Sequence, residues 1–449
     1  MSKIISYKPT EGLSYHPNET KYWDWNALEK ELHRAYALCE SCRMCFKFCD
    51  TFPDLFSLLD KKYEGDPRKI SLKEHDQLMD SCFQCKLCEV QCPYTPRDKH
   101  EFQLDFPKLV HRYQALRKKS FSIRRFLLSK PDFAGWMARL SFGTANIANR
   151  VPFLRWLMEK GVGIHREKLL PDFAAQAFDR QAKAKGLSDK KPEEVEVVLF
   201  QTCYVQNNEP SIGFDTIEVL QQNQISFTTI SGFVCCGMPS WEHGDLKALR
   251  AQAHQNLSLL KPYLEKDIPV IAINPTCSMM LRAEYQDLLE GEDQQLARKL
   301  STLAMDPSEY LWSKREDPRF NDKFKSSPGS SVSYHVPCHL RAQGKGFRAR
   351  EIMRKIPGLT PKVTMECCGH NGTYAMKKEH YCSSVKIGQK AFDSMKQGDS
   401  EVWVTDCPLA AIQFQQHAGK KPMHPMTFIA RAYQEKGFSL PVVQGEKNE

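Results

Sequence analysis

The stretches 39-CESCRMCFKFCD-50 and 82-CFQCKLCEVQCP-93 decide how this chain folds. Each spaces its cysteines as C-x2-C-x2-C-x3-C, the spacing with which thiolates hold a pair of four-iron four-sulfur clusters. Two-residue gaps let three thiolates converge on three corners of one cubane, and the fourth cysteine of each run reaches across to the other cluster. The expected sets are therefore Cys39, Cys42, Cys45 and Cys92 for one 4Fe-4S cluster, and Cys82, Cys85, Cys88 and Cys49 for the other. Zinc sites would close with four ligands each and gain nothing from crossed fourth cysteines. Disulfides are disfavoured too. The opening MSKIISYKPT lacks the apolar core of a secretory signal, and a chain with 17 cysteines in a reducing cytoplasm rarely keeps structural bridges. One irregularity is Asp50, which follows Cys49 where Pro93 follows Cys92.

Outward from these runs the sequence reads as helix. The flank 24-DWNALEKELHRAYALC-39 carries helical periodicity, and a charged spacer, 61-KKYEGDPRKISLKEHD-76, separates the two motifs. This predicts an all-helical two-cluster ferredoxin domain over residues 1–107, with Phe46, Phe48, Phe52, Leu55 and Phe56 packed around the clusters to exclude water. With 449 residues, 41% of them hydrophobic, two or three domains with real cores are expected.

Residues 108–192 read as a basic amphipathic helical connector. Between Lys108 and Leu170, 14 Lys and Arg face three acidic residues, Asp132, Glu159 and Glu167, an excess larger than the +9 of the whole chain. Apolar side chains such as Phe121, Phe126, Trp136, Phe142, Ile147, Phe153 and Trp156 are interleaved, and Pro131 and Pro152 break the run into short helices. Basic helices bearing Trp and Phe suit an interfacial segment on anionic lipid, and no uncharged run is long enough to span a bilayer. Packing against the rest of the protein or a partner is an equal alternative. Nucleic acid is disfavoured, because no binding motif accompanies the charge. Neutralising Arg124, Arg125 and Arg155 is expected to weaken membrane association.

The second half repeats itself. In 193–326 an apolar strand leads to Cys203, then come 233-FVCCGMPSW-241 with Cys235 and Cys236, and 269-PVIAINPTCSMM-280 with Cys277. In 327–449 the same order gives 331-SVSYHVPCHLRAQGKG-346 with Cys338, a second Cys-Cys-Gly at Cys367 and Cys368, and 401-EVWVTDCPLAA-411 with Cys407. Strands alternating with helical patterns predict two small parallel α/β subdomains, with cysteines at the carboxyl ends of strands where ligands gather. Gly237 and Gly369 are read as sharp-turn residues. The full fold class is α+β multidomain: a helical two-cluster ferredoxin, then two repeated α/β CCG subdomains.

These residues carry a resemblance. The chain resembles heterodisulfide-reductase-like CCG-domain iron-sulfur proteins, above all the family of the iron-sulfur C subunit of anaerobic glycerol-3-phosphate dehydrogenase, through 274-NPTCSMMLRAEYQDLL-289, 335-HVPCHLRAQG-344, 367-CCGHNGTY-374 and 404-VTDCPLAAIQF-414. The resemblance implies an electron-transfer subunit that takes electrons from a flavoprotein dehydrogenase, acting on glycerol-3-phosphate or a similar hydroxy substrate, and passes them to membrane quinone or another acceptor. It also implies one or two further iron-sulfur clusters in the CCG domains. Each full family motif closes with Cys-x2-Cys, whereas Met280 and Ala410 hold the last positions here. The eight CCG cysteines, Cys203, Cys235, Cys236, Cys277, Cys338, Cys367, Cys368 and Cys407, thus stand as cluster ligands or as redox thiols. The alternative function is a heterodisulfide or thiol-disulfide reductase with the CCG site as catalytic centre.

Remaining expectations are narrower. Cys382 is read as an ordinary buried thiol, and His335, His339 and His370 as satisfied polar residues near a cluster. The Gly344-Lys-Gly346 segment makes no dinucleotide fingerprint, and with no phosphate loop elsewhere neither flavin nor NAD is expected on this chain. The expected location is cytoplasmic, peripheral on the inner face of the inner membrane if the connector binds lipid.

Overall fold

Helix Trp25–Cys42 opens the ordered core because Asp24 caps it, its carboxylate accepting from Asn26 N (2.8 Å) and Ala27 N (3.3 Å). A computed structural model describes residues 5–117 and 123–442; Lys118, Lys119 and Phe121 of the basic run lie outside them. Helices Thr51–Lys61 and Leu72–Asp80 occupy the charged spacer, and Phe106–Arg117 closes the bundle by burying Phe106, Leu109, Val110 and Tyr113 against Leu28, Leu32, Phe52 and Leu55. Two internal guanidinium groups pin it: Arg34 pairs with Glu31 (2.6 Å), and Arg112 donates to the carbonyls of Tyr22 and Gly12, both at 2.8 Å. Phe52, Leu55 and Phe56 are buried as expected, but Phe46 is 61% exposed, because its loop turns it outward.

The connector forms short helices Ile123–Ser129, Pro131–Leu140, Thr144–Ala148 and Pro152–Gly161. Pro131 and Pro152 each start a helix, where a missing N–H costs nothing. Its apolar outer face is left uncovered: Trp136, Leu140, Phe142, Ile147, Phe153 and Leu157 are all exposed, Phe142 to 95%. Part of the positive charge is internal, which corrects the role expected of Arg155. That side chain is buried and donates to the carbonyls of Arg166 (3.1 Å), His165 (2.8 Å) and Lys168 (2.6 Å), so it holds the connector's last turn instead of facing lipid. Arg124 pairs with Glu379, and Lys168 is buried against Gln413.

The two CCG subdomains are parallel sheets. In the first, β1 (Val197–Phe200) lies between β2 (Phe227–Thr229) and β3 (Val270–Ala272), with β4 (Ala304–Met305) beyond β3. An antiparallel two-residue pair joins β5 (Ser326–Ser327) to β9 (Leu440–Pro441). In the second subdomain β6 (Ser331–His335) lies between β7 (Thr360–Thr364) and β8 (Val402–Thr405). The strands β1, β2 and β3 are buried at every residue, as sheets covered by helices on both faces require. Lys86 forms a buried ion pair with Glu284, and Lys108 pairs with Asp287 at 2.6 Å, which seats the ferredoxin domain on the first subdomain. No helix among the described residues is long and apolar enough to cross a membrane.

Candidate iron–sulfur sites

The two ferredoxin runs present their cysteines through the same backbone device. Arg43 and Lys86, each four residues after the first cysteine of its run, adopt left-handed conformations (φ +52° and +58°) that swing the third cysteine back toward the first two. Cys39 is half-buried, and its thiol is pushed well above the ordinary range by desolvation and then by repulsion from Cys45, Cys92 and Cys42. Burial and then Cys49 push Cys82 up to about 12, while Cys88 is raised by burial and then by Cys85, Cys82, Cys45 and Cys49. The fourth cysteine of each run is thus among the neighbours of the other run's first three. Cys45 Sγ approaches the Cys88 carbonyl at 3.9 Å, so the two loops touch. Thiols gathered in this way repel once ionised, and a cationic iron–sulfur core is what stabilises such a set. Among the described residues no three His, Cys, Asp or Glu side chains are close enough to hold a single metal ion. A cubane spreads its thiolates more widely than a lone ion does.

All eight CCG cysteines lie just past the carboxyl ends of β1, β2, β3, β6, β7 and β8. Both CCG glycines take left-handed conformations, φ +88° at Gly237 and +73° at Gly369, and a Cβ on Gly369 would run into the Ser384 carbonyl. In the first set the thiols form a hydrogen-bonded row, Cys203 to Cys235 to Cys236 to Cys277. Cys277 accepts from Cys236, yet burial still pushes it up to about 11. In the second set Cys338 is raised by burial and then by Cys367, Cys85, Cys368 and Cys407. Met280 and Ala410, at the positions where a family motif would close with cysteine, are buried in apolar packing, Met280 opening a π-helical turn over Met280–Glu284.

These neighbours join the sets into one string. Cys85 and Cys49 of the ferredoxin domain act on Cys367, Cys338 is acted on by Cys407, and Cys407 acts on Cys277. The order in space is first ferredoxin set, second ferredoxin set, second CCG set, first CCG set. Phe83, Leu87 and Tyr374 pack among Cys49, Cys85, Cys338 and Cys367 at the crossing between domains. Asp50, the irregular residue after Cys49, accepts from Ser383, which in turn accepts from Tyr374 (3.1 Å), so the departure from proline ties the ferredoxin loop to the second CCG subdomain.

The histidines divide. His335 is satisfied by Thr405 (2.9 Å) and the Glu366 carbonyl (3.1 Å), and His339 by Thr276 (2.8 Å) and the Gln84 carbonyl (2.9 Å). His370 Nδ1, in contrast, is buried without a hydrogen-bond partner among the described residues. Cys382 is exposed, not buried, because it sits on the outer side of helix Tyr381–Gln397. Three groups at the site carried no sequence signal, since tertiary contact alone brings them there. Asp132 accepts from the Cys235 N–H (2.7 Å) and anchors the connector to the first CCG set. Lys168 approaches Cys368 and is lowered to about 8 by burial, and Glu242 has its carboxyl raised by burial to about 7. Above the first CCG set opens an apolar cavity of about 370 Å³, walled by connector side chains including Leu127, Leu128 and Met158.

Known proteins agree with this layout. Residues 38–95 match the 4Fe-4S dicluster domain, and residues 197–282 and 332–415 match the CCG cysteine-rich domain. The chain is 30% identical over 313 residues to the C subunit of the anaerobic glycerol-3-phosphate dehydrogenase of Escherichia coli, covering 69% of this chain and 77% of the relative. It is 27% identical over 249 residues to the B subunit of the fumarate reductase (CoM/CoB) of Methanothermobacter marburgensis, covering 53% and 46% respectively. Lactate utilization protein A 2 of Bacillus cereus shares 23% over 189 residues, 41% of this chain and 75% of that protein. With a dicluster domain followed by two cysteine-rich domains, the chain is an iron–sulfur protein of oxidoreductase systems and belongs to the family of the anaerobic glycerol-3-phosphate dehydrogenase C subunit.

Proposed function

We infer that this chain relays single electrons from a partner flavoprotein dehydrogenase, acting on glycerol-3-phosphate or a similar hydroxy substrate, to a quinone. The observation that carries the reading is the packing of Cys49 and Cys85 of the ferredoxin domain with Cys338 and Cys367 of the second CCG set around Phe83, Leu87 and Tyr374. Bound clusters supply the one-electron redox chemistry; the chain's part is to hold them in line, keep water away and set their potentials. Cys39, Cys42, Cys45 and Cys92 would hold one 4Fe-4S cluster, and Cys82, Cys85, Cys88 and Cys49 the other. The CCG cysteines continue the path as ligands of one or two further clusters or as redox thiols. Reduction of a substrate disulfide at the CCG thiols is the competing reading, and the apolar walls above the first set favour a lipophilic acceptor over a charged disulfide.

Anaerobic reconstitution tests the core of this reading. The expected result is about eight irons or more per chain, two four-iron clusters at the least. Reduced protein should be reoxidised by a quinone, and a chain with fewer irons, or one reoxidised by disulfides alone, would overturn the assignment. The protein that co-purifies should be a flavin-dependent dehydrogenase, whose substrate names the electron donor.

A further inference from the structure

The cavity above the first CCG set has a built interior. Leu127, Leu128, Ala134 and Met158 from the connector wall it, and the row of sulfurs forms its floor. Its lining, mostly apolar with a few polar groups, is that of a small-molecule site. The helices that turn these side chains inward, Ile123–Ser129, Pro131–Leu140 and Pro152–Gly161, carry exposed Trp136, Leu140, Phe153 and Leu157 on their outer side. The interior and the surrounding surface are therefore apolar together. A charged ligand finds no counter-charge on such walls, whereas a flat ring with an aliphatic tail buries all but its oxygens.

One edge of the cavity is polar. Thr373 borders it, and both the backbone N–H (3.1 Å) and the hydroxyl (3.2 Å) of Thr373 donate to Glu242 Oε2. Gly372 beside it has φ +46°, and a Cβ there would collide with the Glu242 carboxylate, so glycine alone lets this loop close on the acid. Glu242 Oε1 is buried with no hydrogen-bond partner among the described residues. Glu242 also borders a separate small cleft with Asp80, Gln114, His243 and Lys377. The acid stands between that cleft and the cavity, one hydroxyl away from the latter.

We propose that the cavity is where the quinone is reduced, and that Glu242 hands protons to it through the Thr373 hydroxyl. This rests on the quinone-acceptor reading above. In the balanced step each of the two quinone carbonyl oxygens gains one electron and one proton and becomes a hydroxyl. The two electrons would be supplied one at a time by clusters held on the cysteine string, and come from the partner's reduced flavin, which is oxidised. The two protons enter from the cleft side: for each, the Thr373 hydroxyl turns from Glu242 and donates into the cavity, and protonated Glu242 replaces the proton on the Thr373 oxygen.

The test mixes reduced, cluster-loaded full chain with decylubiquinone and, separately, with ferricyanide, which takes electrons without protons. Ala134→Trp and Leu128→Trp fill the cavity, and Glu242→Gln removes the transferable proton. Each should slow quinone reduction at least about tenfold, while ferricyanide reduction and iron content stay at parental values. Glu242→Asp should recover most of the quinone rate, and the parent quinone reaction should show a solvent deuterium effect that ferricyanide lacks. Unchanged quinone rates in both the cavity and Glu242 variants would overturn the site while leaving the quinone as acceptor. A parent chain that reduces ferricyanide but not the quinone would overturn both.

Discussion

At the scale of single residues, burial decides which side chains are available for chemistry, and sequence does not report it. Cys382 shows this most simply. As the one cysteine outside the four sets, and exposed, it should be alkylated by a maleimide within the fastest phase of labelling. Cys382→Ser should remove that phase with no change in iron content. Asp306 shows the same principle acting on stability. It caps helix Pro307–Ser313 and accepts from Ser278 (2.8 Å), yet burial raises its carboxyl to about 7 despite the nearby Arg282. Native protein therefore keeps this proton up to about pH 7, while the unfolded chain releases it near 4, so stability falls as pH rises through that interval. Asp306→Asn keeps the cap and abolishes the penalty: denaturation midpoints should match the parent near pH 4 and exceed it at pH 8 by about 1–3 kcal/mol. The two cysteine runs were legible because their spacing is written in the sequence itself. Asp132, Lys168 and Glu242 were not, because only the packing of connector and loops on the CCG sheets brings them to the sulfurs.

At the scale of elements, the connector was legible in its breaks and misleading in its charge. Pro131 and Pro152 started helices where the pattern placed them, and the apolar stripe is exposed on their outer faces. The number of cations did not reveal that Arg155 points inward to three carbonyls. Replacing it leaves buried acceptors unpaired, at about 1–3 kcal/mol each, so Arg155→Gln should lower the thermal midpoint instead of weakening lipid binding selectively. The exposed aromatics behave in the opposite way. Phe153→Ser together with Trp156→Ser should cut sedimentation with anionic vesicles severalfold at an unchanged thermal midpoint. Vesicle binding that survives both changes would turn this face toward a protein partner. The repeat itself was legible because each copy restates strand, cysteine and Cys-Cys-Gly in order. Its extra strand β4 was not, since two residues carry no periodicity.

At the scale of the whole molecule, the cysteine string has two unlike ends, and that asymmetry gives electron flow a direction. One end is closed: the first CCG set lies beneath the connector with its apolar cavity above it. The other is open, since the loop around the first ferredoxin set leaves Met44 and Phe46 exposed, 61% in the case of Phe46. An apolar pair beside a cluster is what a transient redox partner buries on docking, because electrons then enter over a short, dry distance. Phe46 was expected to shield a cluster from within; its outward position makes it, under the proposed function, a candidate anchor for the donor. Phe46→Asp should therefore slow reduction by the partner flavoprotein about tenfold, the cost of one lost anchor, while chemical reduction by dithionite and the iron content match the parent. Stopped-flow bleaching of the cluster absorbance measures both rates on the same sample. A parental rate with the flavoprotein would move electron entry to the second ferredoxin set, and the string would then be fed from its middle.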